Sequence, residues 1–116
     1  MFNDLKNKFF LITGAGGFLG LYHCKAVLEK DGFLIMCDKN KQKNIKNYKI
    51  LKKLFPDSKI IIKNFDITKH QQINKIKKDL EKKNIYIDVL INNAAIDSVP
   101  SSNKVIQNNN NDFRIF

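Results

Sequence analysis

The residues best suited to chemistry lie in one bend, Thr13-Gly14-Ala15-Gly16-Gly17-Phe18-Leu19-Gly20. The bend follows the apolar run Phe9-Phe10-Leu11-Ile12 and precedes a stretch with helical spacing. A glycine bend between strand and helix is the setting in which a backbone can grip a diphosphate. Gly14 supplies the sharp turn out of the strand, Gly17 lets the main chain approach an anion with no Cβ in the way, and Gly20 allows the helix to lie close to the sheet. Amides around Phe18 and Leu19, at the helix start, then face the phosphate oxygens. For the bend alone, a glycine-rich turn without a ligand stays open as the alternative.

A second element strengthens the ligand reading. Asp38 closes the next apolar run, 24 residues after Gly14 and 18 after Gly20, near the spacing at which an acid meets an adenosine ribose. A carboxylate there accepts from both ribose hydroxyls and repels a 2′-phosphate, which favours NAD over NADP. Lys39 and Lys41 work against that preference by screening the repulsion. The alternative for Asp38 is a solvated turn residue. Two further sites, Asp66 and Asn92-Asn93-Ala94-Ala95, follow the third and fourth apolar runs. Ligands of open α/β sheets bind at that edge.

A parallel sheet is what brings these positions together. Phe9 to Ile12 and Phe33 to Cys37 are short, uninterrupted apolar runs, the pattern of strands covered on both faces. Between them Leu19, Tyr22, Ala26 and Val27 recur at helical spacing, and Gly32 stands where a left-handed cap is wanted. Lys39 to Lys43 reads as a loop. From Asn44 a second helix puts Ile45, Tyr48, Leu51 and Phe55 on one face until Pro56-Asp57 stops it. Lys59 to Phe65 is the third strand. Thr68 with Gln71 has the capping-box pattern and opens a helix with the stripe Ile73, Ile76 and Leu80, running to about Lys83. Ile85 to Ile91 is the fourth strand. The alternation implies right-handed crossovers with helices on both faces. The expected fold is thus α/β, a Rossmann-like doubly wound parallel sheet, incomplete, with four strands in the order 3-2-1-4 and three helices. Residues 1–97 form this part; residues 98–116, with the run Asn108 to Asn111, read as a polar Asn-rich loop or disordered tail.

Composition narrows the function classes. A chain of 116 residues makes one domain, and 43% hydrophobic with 28% charged residues is ordinary for a packed protein. The net charge of +10 would suit a polyanion, yet Arg114 is the sole arginine and Lys, Asn and Ile fill 51 positions. That is the bias of an AT-rich genome, and Arg, the residue that forks onto phosphate and guanine, is nearly absent. Nucleic acid is therefore not an expected partner. The apolar runs fall far short of the ~20 residues that cross a bilayer, so no membrane association is expected. Four glycines break the one stretch that could pass for a leader, and a cytoplasmic protein is expected. Cys24 and Cys37 have no C-x-x-C spacing and His23 and His70 stand 47 residues apart, which indicates neither a disulfide framework nor a metal site.

With these residues in view, residues 7–97 resemble the short-chain dehydrogenase/reductase family. The resemblance rests on T-G-A-G-G-F-L-G, Asp38, F-D-I-T around Asp66 and Ile67, and D-V-L-I-N-N-A-A from Asp88 to Ala95. It implies that Asp66, with Ile67 beside it, approaches the adenine ring and that Asn92 braces the central strands. Asn93, Ala94 and Ala95 would line the adenosine ribose and the way to the nicotinamide. Gly14, Gly17 and Gly20 have the G-x-x-G-x-x-G spacing of the extended branch, rich in enzymes of sugar nucleotides; N-N-A-A is similar to the single-domain branch. Family members act through Tyr-x-x-x-Lys, which should follow the fourth strand. Tyr48 and Lys52 have that spacing but lie between the second and third strands, so no catalytic residue is assigned. The chain then reads as the amino-terminal half of an NAD-dependent oxidoreductase acting on a hydroxyl or carbonyl, as a fragment, a truncated frame or a crop. Poor stability in isolation is expected, and homo-oligomers only for the full-length protein. A non-catalytic nucleotide-binding remnant is one alternative, tested by a downstream Tyr-x-x-x-Lys. A basic nucleic-acid-binding module is another, tested by a steep salt dependence of DNA affinity.

Overall fold

The computed structural model describes residues 5–94. Ala95 and the tail expected over residues 98–116 lie outside the described residues. Seven elements alternate along the chain: β1 (Phe9–Thr13), α1 (Phe18–Glu29), β2 (Phe33–Asp38), α2 (Lys41–Leu54), β3 (Ile60–Asn64), α3 (His70–Lys82) and β4 (Val89–Asn92). The strands form one parallel sheet in the order β3-β2-β1-β4. This is the incomplete Rossmann-like α/β fold expected from the alternation of elements.

The sheet is parallel because each strand must return through a helix, and each helix needs a sheet face to cover its apolar side. Two core clusters result. One packs Cys24, Val27 and Leu28 of α1 and Leu51 of α2 on Phe10, Ile12, Leu34 and Met36. The other packs Ile73, Ile76 and Leu80 of α3 with Leu11, Ile35 and Cys37. Leu11, Ile12, Leu34, Ile35 and Met36 are fully buried in the two central strands, and truncating any one to Ala costs about 2–5 kcal/mol. The edge strands β3 and β4 are only half-buried, in contrast to the two central strands.

Local details depart from the sequence reading for identifiable reasons. The face that α1 buries is Gly20, Cys24, Val27 and Leu28, while Leu19 and Tyr22 are exposed. Both stripes are apolar, and the close approach of Gly20 to Gly14 and Ala15 of the loop selects between them, where the sequence reading sets Gly20 against the sheet. The left-handed residue that ends α1 is Asp31, at φ 60°, rather than Gly32. Gly32 is required instead by space, since a Cβ there would lie 2.8 Å from Val27 and 3.0 Å from the Phe10 ring.

Helix α2 begins within the expected loop, because Asn40 caps it by accepting from the Lys43 N–H at 3.0 Å. Its most buried residues are Asn44, Asn47 and Leu51, so the inward face is rotated from the one centred on Ile45 and Tyr48. Thr68 does not cap α3: its hydroxyl donates to Asp66 Oδ1 at 2.7 Å and Lys69 takes the cap position. Strand β3 is shorter than expected by one residue at each end. Strand β4 starts at Val89, four residues late, since Asn84 turns left-handed and Ile85 N–H closes the end of α3 on Leu80 O.

Candidate functional site

The C-terminal ends of β1, β2 and β3 open onto a cleft of about 590 Å³. Its lining includes Gly14, Gly17, Phe18, Leu19, Asp38, Asp66, Ile67, Asn93 and Ala94 from the sequence reading. Gly20 does not line it but packs against Gly14 and Ala15 of the loop, and Ala95 is outside the described residues. Cys37, Lys39, Asn40, Lys43, Phe65 and Thr68 complete the lining.

The bend between β1 and α1 is shaped by contacts that only glycines permit. Gly14 adopts φ 67°, and a Cβ on it would lie 2.8 Å from the Ala94 Cα. A Cβ on Gly20 would overlap Gly14 O, so this residue sets how closely α1 meets the loop. Gly17 is different: its added Cβ would meet only Gly14 O, at 3.4 Å, an ordinary contact. Among the described residues nothing else packs over Gly17. Helix α1 starts at Phe18 with no side-chain cap, and no acid lies in its first turn. Its first intrahelical bond runs from Leu21 N–H to Gly17 O at 3.1 Å, leaving the earlier amides of Phe18, Leu19 and Gly20 ahead of the ladder. An uncapped helix start of this kind carries partial positive charge and suits an anion.

The acid of β2 is tied to this loop. Asp38 Oδ2 accepts from Gly16 N–H at 2.8 Å, and Oδ1 accepts from Asn40 N–H at 2.8 Å. Each oxygen keeps lone-pair capacity for another donor, so the carboxylate is fixed without being saturated. Gly16, absent from the sequence-derived set, is the link. A Cβ on it would lie 2.8 Å from that same Asp38 oxygen and 2.8 Å from Asn44 N. Ala15 N–H also donates to Cys37 O at 3.0 Å, which joins the bend to β2 along its length.

Asp66 sits across the cleft at the end of β3. Its Oδ1 accepts from both the hydroxyl (2.7 Å) and the backbone N–H (2.9 Å) of Thr68, and Gln72 Oε1 accepts its own N–H at 2.8 Å. The Thr68 hydroxyl holds the Asp66 carboxyl below the usual carboxylate range; burial opposes it, and the Thr68 N–H, Lys39 and Lys69 add smaller help. At the end of β4, Asn93 N–H and Ala94 N–H both donate to Thr13 Oγ1, at 3.1 and 3.0 Å. Asn93 Nδ2 also donates to Gly14 O at 3.2 Å. The ties to β1 and the bend thus come from Asn93 and Ala94, whereas Asn92 is exposed and pairs with Thr13 in the strand register.

Tyr48 and Lys52 lie away from this edge. Tyr48 packs against the core, and Lys52 Nζ donates to Ser58 O at 2.7 Å, in the turn before β3. Burial pushes the Cys24 thiol up to about 12 and raises Cys37 further, so neither is a nucleophile at neutral pH. Among the described residues no cluster of His, Cys, Asp and Glu could hold a metal, and no helix is long and apolar enough to cross a membrane.

A four-stranded parallel sheet with a glycine bend, an uncapped helix start and an acid on the neighbouring strand defines a nucleotide-binding class of α/β protein. The short-chain dehydrogenase family model matches residues 8–114, and the chain belongs to that family. It is 35% identical over 99 residues to alcohol dehydrogenase 2 of Ceratitis capitata, covering 84% of this chain and 37% of that protein. The fold is similar to a D-mannonate oxidoreductase from Haemophilus influenza solved with bound NAD, at 25% identity and TM-score 0.70, over 83% of this chain and 33% of that one. It also matches L-sorbose reductase from Gluconobacter frateurii, solved with NADPH, at 16% identity and TM-score 0.75, over 90% of this chain and 41% of that one. The chain thus spans well under half the length of each.

Proposed function

We propose that the chain forms the adenosine and diphosphate half of an NAD site in an oxidoreductase. The observation that carries the reading is the pair of bonds from Asp38 to Gly16 N–H and Asn40 N–H, which holds the acid at a fixed distance from the phosphate-facing bend. The Phe18 and Leu19 amides bind the diphosphate, with Gly14 and Gly17 making room and Gly20 setting the helix. Asp38 accepts from the ribose hydroxyls, which places NAD ahead of NADP. Asp66 and Ile67 border the adenine, and Asn93, Ala94 and Ala95 line the path toward the nicotinamide. When bound, the cofactor supplies hydride exchange.

The complete protein would oxidise or reduce a hydroxyl or carbonyl, with sugar-type substrates suggested by the G-x-x-G-x-x-G spacing and by the D-mannonate oxidoreductase named above. The proton-transferring pair lies beyond these residues, since Lys52, of the one pair with suitable spacing, is engaged at the opposite end of the sheet. Residues 1–97 are the cofactor-binding part, residues 98–116 a polar, Asn-rich stretch of sequence, and a homo-oligomer belongs to the complete protein. Two free, buried thiols suit a reducing cytoplasm. Nucleic acid is no part of this reading.

Calorimetry on the 116-residue chain is the test. NAD and ADP are expected to bind and NADP to bind more weakly. With the chain shown folded by circular dichroism, absence of any heat with NAD and ADP sinks the proposal, and a preference for NADP overturns the role of Asp38.

A further inference from the structure

Asn47 is a polar residue buried in the middle of α2, 7% exposed, and the dinucleotide reading gives it no role. Its Nδ2 donates to Ala15 O at 2.8 Å and to Gly17 O at 3.0 Å. Both protons of the amide are thus used on carbonyls of the glycine bend, 30 and 32 residues away in sequence. Nothing separates helix from bend at this point. A Cβ on Gly16 would lie 2.8 Å from the Asn44 N and 2.9 Å from the Lys43 carbonyl carbon.

The consequence follows from the planar trans peptide. In each unit the C=O and the next N–H point in opposite directions, so fixing one fixes the other. Drawing Ala15 C=O toward α2 turns Gly16 N–H away from it, onto Asp38 Oδ2 at 2.8 Å. Drawing Gly17 C=O toward α2 likewise turns Phe18 N–H away from that helix, and Phe18 borders the cleft. Gly17 O also accepts Leu21 N–H at 3.1 Å, so two donors hold the same carbonyl. One side chain therefore helps to orient two amides, sharing the second with the helical bond from Leu21.

We propose that Asn47 is a positioning residue for diphosphate binding: by holding Ala15 O and Gly17 O from behind, it aims Phe18 N–H at the anion and Gly16 N–H at Asp38. The proposal rests on the dinucleotide reading and deepens it. It contacts no ligand, and its effect travels through the bend. A residue that merely supported the fold would weaken all ligands alike. One that aims the phosphate-facing amide discriminates between ligands with and without a diphosphate.

The test compares ADP with adenosine on the full 116-residue chain and its Asn47→Leu and Asn47→Asp variants, which preserve side-chain size. ADP affinity is expected to fall about tenfold in Asn47→Leu, the loss of one well-directed bond to a charged group, and further in Asn47→Asp, whose carboxylate repels both carbonyls. Adenosine affinity is expected to fall less, within about twofold to threefold, because Asn40 N–H still holds Asp38 Oδ1 for the ribose and a nucleoside has no group for the Phe18 amide to hold. Unchanged ADP binding, or equal losses for ADP and adenosine, overturns the role of Asn47 alone. No ADP binding by the unsubstituted chain overturns the dinucleotide reading as well. Amide NMR on the unsubstituted chain gives a measurement that needs no variant. ADP must shift the Phe18 N–H more than adenosine does, and a Phe18 resonance that ADP leaves in place overturns the proposal even where the variants fail to fold.

Discussion

The two ends of the sheet carry hollows of nearly equal size and opposite character. At the C-terminal ends of the strands the cleft is about 590 Å³; at the N-terminal ends a second, lined by Lys6, Asp31, Gly32, Phe33, Asp57 and Lys59 among others, is about 570 Å³. Volume does not distinguish them. The first receives the start of α1, with amides ahead of the helical ladder. The second receives the ends of α1 and α2, where carbonyls face outward and find donors close by. Asp31 N–H and Gly32 N–H take up Leu28 O and Val27 O, each at 3.1 Å, and Lys52 Nζ bridges Pro56 O and Ser58 O. Peptide direction is what separates the open edge from the closed one, because all strands of a parallel α/β unit run one way and the helices run back the other, which gathers helix starts at the C-terminal ends of the strands.

The sharpest way to break this contrast is within the glycine bend itself. Gly20→Val places a branched side chain onto Gly14 O, and loss of folding is expected, on the order of 3 kcal/mol or more, read by chemical denaturation. Gly17→Val meets only one atom at 3.4 Å, so stability should change by about 1 kcal/mol or less while the side chain fills the space for the diphosphate. Calorimetry showing normal NAD binding by Gly17→Val would remove the bend from the site.

Asp38→Ala should weaken NAD by about tenfold to a hundredfold, the loss of bonds to a charged acceptor, and narrow the gap to NADP. At the other end, Lys59→Ala removes a cation held 4.9 Å from the Phe33 ring and 5.6 Å from the Phe9 ring. It should cost about 0.5–1 kcal/mol of stability and leave NAD affinity unchanged. A drop in affinity there would mean the two ends are coupled.

The smallest effect concerns Asp66. Its folded carboxyl titrates below the ordinary 3.8, so its contribution to stability is complete above the unfolded value and lost as pH falls through the folded one. Thr68→Val should return the titration toward 3.8, followed by carbon NMR of the carboxyl.

The binding end was more legible in the sequence than the residues behind it. Gly14 and Gly20 announce themselves because no other residue fits there, Gly17 because it falls in the same spacing, and Asp38 because it is an acid that ends an apolar run. Asn44 and Asn47 did not, since asparagine in a lysine-rich helix reads as surface until a partner is known. Their partners, Met36 O and Asn64 Oδ1 for Asn44, and Ala15 O and Gly17 O for Asn47, are at least eight residues distant. One signal was available: Asn40, Asn44 and Asn47 share a helical face at spacings of four and three. Thr68 misled for a related reason, as a capping pattern says nothing of an aspartate two residues earlier that outcompetes the helix for its hydroxyl.

The two thiols lie one in each core cluster, on opposite faces of the sheet. Both are fully covered and held protonated, so an alkylating reagent reaches either one only when the molecule opens. Their separate labelling rates therefore act as two clocks. Cys24 times the lifting of the α1 layer and Cys37 the exposure of the face under α3, and unequal rates would reveal which side of the protein yields first.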